Sequence, residues 1–91
     1  MHRKPELIKR IGEWLELELE STCVALDQFT SVEIKKSGKR IEFIQKVRGK
    51  EPEIAQVYMD DEGVSGMVLS MPDSTAMSLM LFSLEKAIET F

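Results

Sequence analysis

The residues with the clearest chemical potential are Asp60 and Asp61, adjacent carboxylates that follow Tyr58 and Met59. Two hairpin carboxylates, joined by a third on a neighbouring strand, can hold two divalent metals and align a phosphoryl transfer. The third group is hard to find here. The only aspartate upstream is Asp27, in Val24-Ala25-Leu26-Asp27-Gln28-Phe29, with no strand position predicted beside the pair. Asp61-Glu62-Gly63, by contrast, has the chemistry a tight turn favours. Asp60 and Asp61 are therefore expected to shape a turn, and no metal site is assigned.

Tyr-Met-Asp-Asp also spells the metal-binding hairpin of reverse transcriptases, but 91 residues leave no room for nucleotide- and template-binding parts. Other catalytic constellations are thinner. His2 is the only histidine and lies in a terminus expected to fray. Cys23, the only cysteine, has no base in view and is expected to be a small buried thiol. No spacing matches a zinc site, a P-loop or a dinucleotide fingerprint. No catalytic residue, cofactor or small-molecule substrate is assigned.

Two features suggest binding instead. Lys35, Lys36, Lys39 and Arg40 crowd one turn, and Lys46, Arg48 and Lys50 follow. Such a stripe suits a phosphate backbone or an acidic protein. Lysines also keep sheet edges from pairing with other chains. No aromatic residues interleave with these bases, which weakens a single-stranded nucleic-acid reading. The second feature is apolar excess on the helices. Leu79 and Phe82 fall opposite the core face predicted for the C-terminal helix, and Trp14 and Leu17 lie off the core face of the first. A helix that is apolar all round is buried on more than one side. Trp14, Leu17, Leu79 and Phe82 are therefore candidate contacts for a second copy or a protein partner.

The elements that carry these residues follow from periodicity. Pro5 suits a first helical turn, and Ile8, Ile11, Leu15 and Leu19 share one helical face, which predicts a helix over 5–20. Thr22–Val24 favours extended chain, a short strand reaching Leu26. Val32–Phe43 reads as a hairpin with a Ser37-Gly38 loop, pairing Ile34 with Ile41 and Val32 with Phe43. Ile54–Met71 reads as a second hairpin with a three-residue Asp61-Glu62-Gly63 loop, Val57 opposite Met67 and Ala55 opposite Leu69. Pro72-Asp73 offers a stop and an N-cap, and Met77, Met80, Leu81, Leu84, Ile88 and Phe91 form the core face of a last helix. Met59, Met67, Met71, Met77 and Met80 all fall on core positions. The predicted fold is one α+β domain over residues 1–91: a two-layer sandwich, with an antiparallel sheet of two hairpins, about four strands, and both helices on one face.

Charge is uneven along the chain. The total is −4, yet residues 32–50 carry seven bases against two acids, and residues 51–91 carry one base against eight acids. The overall balance gives no global attraction to nucleic acid or anionic membranes. No apolar run approaches the ~20 residues of a membrane span, the first residues, with no apolar run after their bases, are not expected to act as a secretory signal, and one cysteine fits a reducing cytosol. The element order resembles that of small acidic secretion chaperones and other dimeric α+β adaptors, a likeness of arrangement without a shared motif. The expectation is a small non-catalytic cytosolic protein-binding protein (adaptor, inhibitor or chaperone-like), associating through its helices. The alternative is a nucleic-acid-binding module using the basic hairpin at residues 35–50.

Overall fold

The computed structural model describes residues 3–91; His2 lies outside them. Its elements are α1 (Lys4–Leu15), β1 (Ser21–Ala25), β2 (Thr30–Ser37), β3 (Arg40–Val47), β4 (Glu53–Asp60), β5 (Gly63–Leu69) and α2 (Asp73–Thr90). The strands form one antiparallel meander in the order β1-β2-β3-β4-β5. Both helices and the inward residues of the strands belong to one core cluster. This is the α+β architecture expected, with the short extended segment pairing fully as a fifth strand.

The sheet alternates as a half-covered antiparallel sheet must. Val32, Ile34, Ile41, Phe43, Ala55 and Val57 point to the helices and are fully buried. Glu33, Lys35, Glu42, Gln56 and Tyr58 take the opposite parity. The first hairpin differs from prediction by two positions: Ile34 faces Phe43, Lys36 faces Ile41, and Ser37 faces Arg40. A shift of two leaves every side chain on its face. It also places Lys35 opposite Glu42, where the predicted register set Glu33 against Glu42 and Lys35 against Arg40. Exchanging like-charged neighbours for an opposite pair favours the observed register. Gly38, at φ +61°, becomes the first loop residue, the position a Gly-first hairpin turn requires.

In the second hairpin Val57 faces Met67 and Ala55 faces Leu69, as predicted. The loop is Asp61-Glu62, not three residues, because Asp60 pairs with Gly63. The extra residue sits instead in a bulge at Ser65, whose hydroxyl donates to the Tyr58 carbonyl at 3.2 Å.

Helix α1 ends a turn early. Leu17 and Glu18 donate to carbonyls three residues back, and Glu18 takes a left-handed φ of +56° that redirects the chain into β1. The buried face is Leu7, Ile11 and Trp14, with Ile8 and Leu15 half-buried beside it. Trp14 sets this rotation. It is the largest apolar side chain available, and its indole N–H donates to Thr22 Oγ1 at 3.4 Å inside the core. Helix α2 buries the expected Met77, Met80, Leu81 and Leu84, but also Ala76, Leu79, Ser83 and Ala87. Its neighbour α1 covers the extra flank, and Arg10 reaches Glu85 across the helix pair at 3.9 Å. Phe91 caps the helix and is exposed, away from the core face it was assigned to.

Candidate functional site

The four apolar residues expected to meet a partner do not form one surface. Trp14 and Leu79 are core residues. Leu17 lies beyond the end of α1, half-buried against the core. Phe82 alone is on the surface, half-exposed, with the Lys86 ammonium 5.9 Å from its ring centroid. The helices meet side by side and absorb each other's apolar flanks, which a one-dimensional pattern cannot show.

The basic stripe also separates in space. Strands β2 and β3 are interior strands, so their lysines protect no sheet edge. Lys35, Lys36, Lys39 and Arg40 cluster at the hairpin tip. Arg48 and Lys50 follow the far end of β3, roughly 30 Å away at about 3.3 Å per residue. Lys46 lies on the outer face, 3.9 Å from Glu33. Lys36, opposite Ile41, projects on the helix side, whereas Lys35 and Arg40 project on the other. Lys36 and Lys39 border a cleft of about 190 Å³ floored by Leu15, Ile41 and Met59 and walled by Asp60 and Asp61. Neither lysine forms an ion pair among the described residues. Two lysines and two aspartates balance the rim, so this tip is not a purely cationic patch.

Asp60 holds its own turn: its Oδ1 accepts from the Glu62 N–H at 2.8 Å. Asp27 does the same in the β1–β2 turn, accepting from Phe29 N–H at 2.7 Å. Among the described residues, no three His, Cys, Asp or Glu side chains converge as a metal site. Cys23, expected to be buried, is exposed, because it takes the outward parity of β1 between inward Thr22 and Val24.

The surface that sequence reasoning missed is the open face of the sheet. Both helices cover one side, leaving the other to outward residues of the strands. On β3, β4 and β5 these include Ile44, Ile54, Tyr58 and Val68. Ile44 pairs directly with Ile54, and Gln56 lies between Ile54 and Tyr58 on the same face. Exposure is 38% at Ile54, 38% at Tyr58 and 58% at Val68. Tyr58 lies beside Gly66, which offers no side chain to cover it. Its hydroxyl approaches Gln56 Oε1 at 3.5 Å, and the Gln56 amide donates to Glu42 at 2.8 Å. The alternation of β4 contained the signal, but Ile54 and Tyr58 became meaningful only once both helices fell on the other side.

No helix among the described residues is long and apolar enough to cross a membrane. No family model, no curated protein and no solved structure matches this chain.

Proposed function

We propose that this is a small non-catalytic protein-binding domain, an adaptor, inhibitor or chaperone-like protein of the cytosol, whose partner docks on the open face of the sheet. One observation carries the reading. Among the described residues, three of the six exposed large hydrophobics, Ile54, Tyr58 and Val68, gather on the outward side of β4 and β5. The other three, Phe29, Phe82 and Phe91, are scattered over a loop, a helix face and the C-terminus. A grouped apolar surface with a polar rim is the usual mark of a protein contact. Tyr58 has the character of an anchor, with an apolar ring and a polar tip. The surrounding Glu42, Gln56 and Arg40 supply that rim. An unpaired surface thiol at Cys23 is compatible with a reducing compartment.

A photo-reactive benzoylphenylalanine at Tyr58 tests this inside the source cell. It should trap a discrete protein partner, and the same group at Phe82 should not. Trapping from Phe82 alone would return the contact to the helices, and trapping from neither site would remove the reading.

The second reading, a nucleic-acid-binding module, rests on the hairpin tip, where Lys36 and Lys39 are unneutralised by ion pairs among the described residues. Replacing Lys35, Lys36, Lys39 and Arg40 with Glu should then abolish DNA or RNA binding that weakens steeply with salt. Absence of binding by the parent chain at low salt removes it.

A further inference from the structure

The two edges of the sheet are β1 and β5. Soluble proteins usually blunt an edge with charge, proline or short length. Strand β5 has seven residues and uses none of these, and its one bulge, at Ser65, lies at the hairpin end and leaves Gly66–Leu69 in regular register. The chain carries 28 charged side chains, yet none lies between Glu62 and Asp73. The layer beneath β5 is also unfinished. Its inward residues Val64, Met67 and Leu69 are only half-buried. Of the nine partly buried hydrophobics that pack against the core, five (Met59, Val64, Met67, Leu69 and Met71) come from residues 59–71. The outward Val68, 58% exposed, is the most exposed large hydrophobic residue within any strand.

The hydrogen-bond alternation shows which groups are free. Ser70 N–H donates to Ile54 O at 3.0 Å, so Ile54 and Ser70 form a bonded pair. Bonded pairs alternate along an antiparallel ladder. Gln56–Val68 and Tyr58–Gly66 are therefore also bonded, and Met67 and Leu69 turn their N–H and C=O groups to the open side. The Ser65 bulge leaves Gly66–Ser70 as the straight stretch available for pairing.

We propose that β5 is the seam of a homodimer, pairing antiparallel with β5 of a second copy to join two five-stranded sheets into one. A two-fold axis at Val68 fits the free groups. It sets Met67 opposite Leu69 of the second copy as a bonded pair, and Val68 opposite its own counterpart in the close, non-bonded position. All facing side chains are then apolar or small. Self-pairing suits this edge because a strand without charge meets no like charge when it faces itself, whereas a charged peptide would find no complement there. The half-buried Met67 and Leu69 of both copies would meet on the helix side, and the two Val68–Tyr58 surfaces would adjoin on the open side. The dimer extends the protein-binding reading without depending on it, since the edge can pair whether or not the open face holds a partner.

Sedimentation of the full chain across micromolar concentrations tests the seam, with far-UV circular dichroism to confirm folding. The parent should be a dimer. Val68→Lys and Val68→Glu should each be folded monomers, with dimer dissociation at least ~10-fold easier, because two like charges face each other across the axis. Mixing the two variants should restore a dimer containing one of each. Ile54→Lys, on the open face but off the edge, should leave the dimer intact while weakening any partner contact, which separates failure of the two readings. A parent that stays monomeric at high micromolar concentration would overturn the proposal. So would a Val68→Lys dimer of parental strength, a dimer lost in Phe82→Ser, or a mass that climbs without limit through β1-to-β5 stacking.

Discussion

Strands β1 and β5 are both uncharged edges, and they are protected very differently. Strand β1 is short, and α2 packs over it. Its inward Thr22 and Val24 are each 7% exposed, and Thr22 is tied to Trp14. Its outward neighbours on β2 are Glu33 and Lys35, charges that flank Cys23 and Ser21. Strand β5 is longer, its inward residues are half-covered, and its outward neighbours on β4 are Gln56 and Tyr58. An edge is thus shielded less by its own residues than by the layer beneath it and the strand beside it. Helix α2 lies toward β1, α1 meets β5 through Ile8 at Gly63, and the surface left over is along the rest of β5.

The largest test of this contrast is Trp14→Ala. It removes the side chain that closes the layer beneath β1, and buried Trp→Ala changes cost about 3–5 kcal/mol. Urea unfolding should show that loss, while Phe82→Ser should fall within ~1 kcal/mol of the parent. Equal effects would mean that the helix layer is not anchored through Trp14.

At the other edge, Gly63→Val should cost about 1–3 kcal/mol. Gly63 opens β5 at φ +121°, a backbone that β-branched residues resist, and an added Cβ would sit 3.2 Å from Ile8 Cδ1. Thermal melting would read it, and an unchanged midpoint would show that the β5 entry relaxes freely.

The smallest effect is expected beside it. Asp60→Asn keeps an oxygen to accept from Glu62 N–H, so stability should stay within ~0.5 kcal/mol. Asp60→Ala should fall below Asn in the same melt. If the two variants behave alike, the carboxylate does not organise the turn.

Much of this fold was legible from local pattern. The second hairpin's pairs could be read because alternation and turn chemistry agreed around Asp61 and Gly63. The first hairpin's register was not legible from the loop alone, because Ser37-Gly38 and Gly38-Lys39 both make acceptable turns and cross-strand charge decides between them. Trp14 and Leu79 were misplaced because an apolar flank looks the same whether a neighbouring helix or a partner covers it. Contiguity misled at the basic stripe, since a strand carries Lys39 and Arg48 to opposite ends. The open face had no sequence signature of its own: Ile54, Tyr58 and Val68 alternate like any strand, and only the placement of both helices on one side leaves them uncovered.

Amide hydrogen exchange at several concentrations, resolved at Met67, Leu69 and Cys23, tests the contrast between the edges most directly. Lys36 N–H donates to Glu20 O, so the same alternation turns the Cys23 N–H to the open side of β1, as it turns Met67 and Leu69 on β5. The account predicts rapid exchange at all three in dilute solution, with Met67 and Leu69 slowing as concentration rises and Cys23 unchanged. Rapid exchange at Met67 and Leu69 at every concentration, or protection that appears at Cys23 in their place, would contradict it.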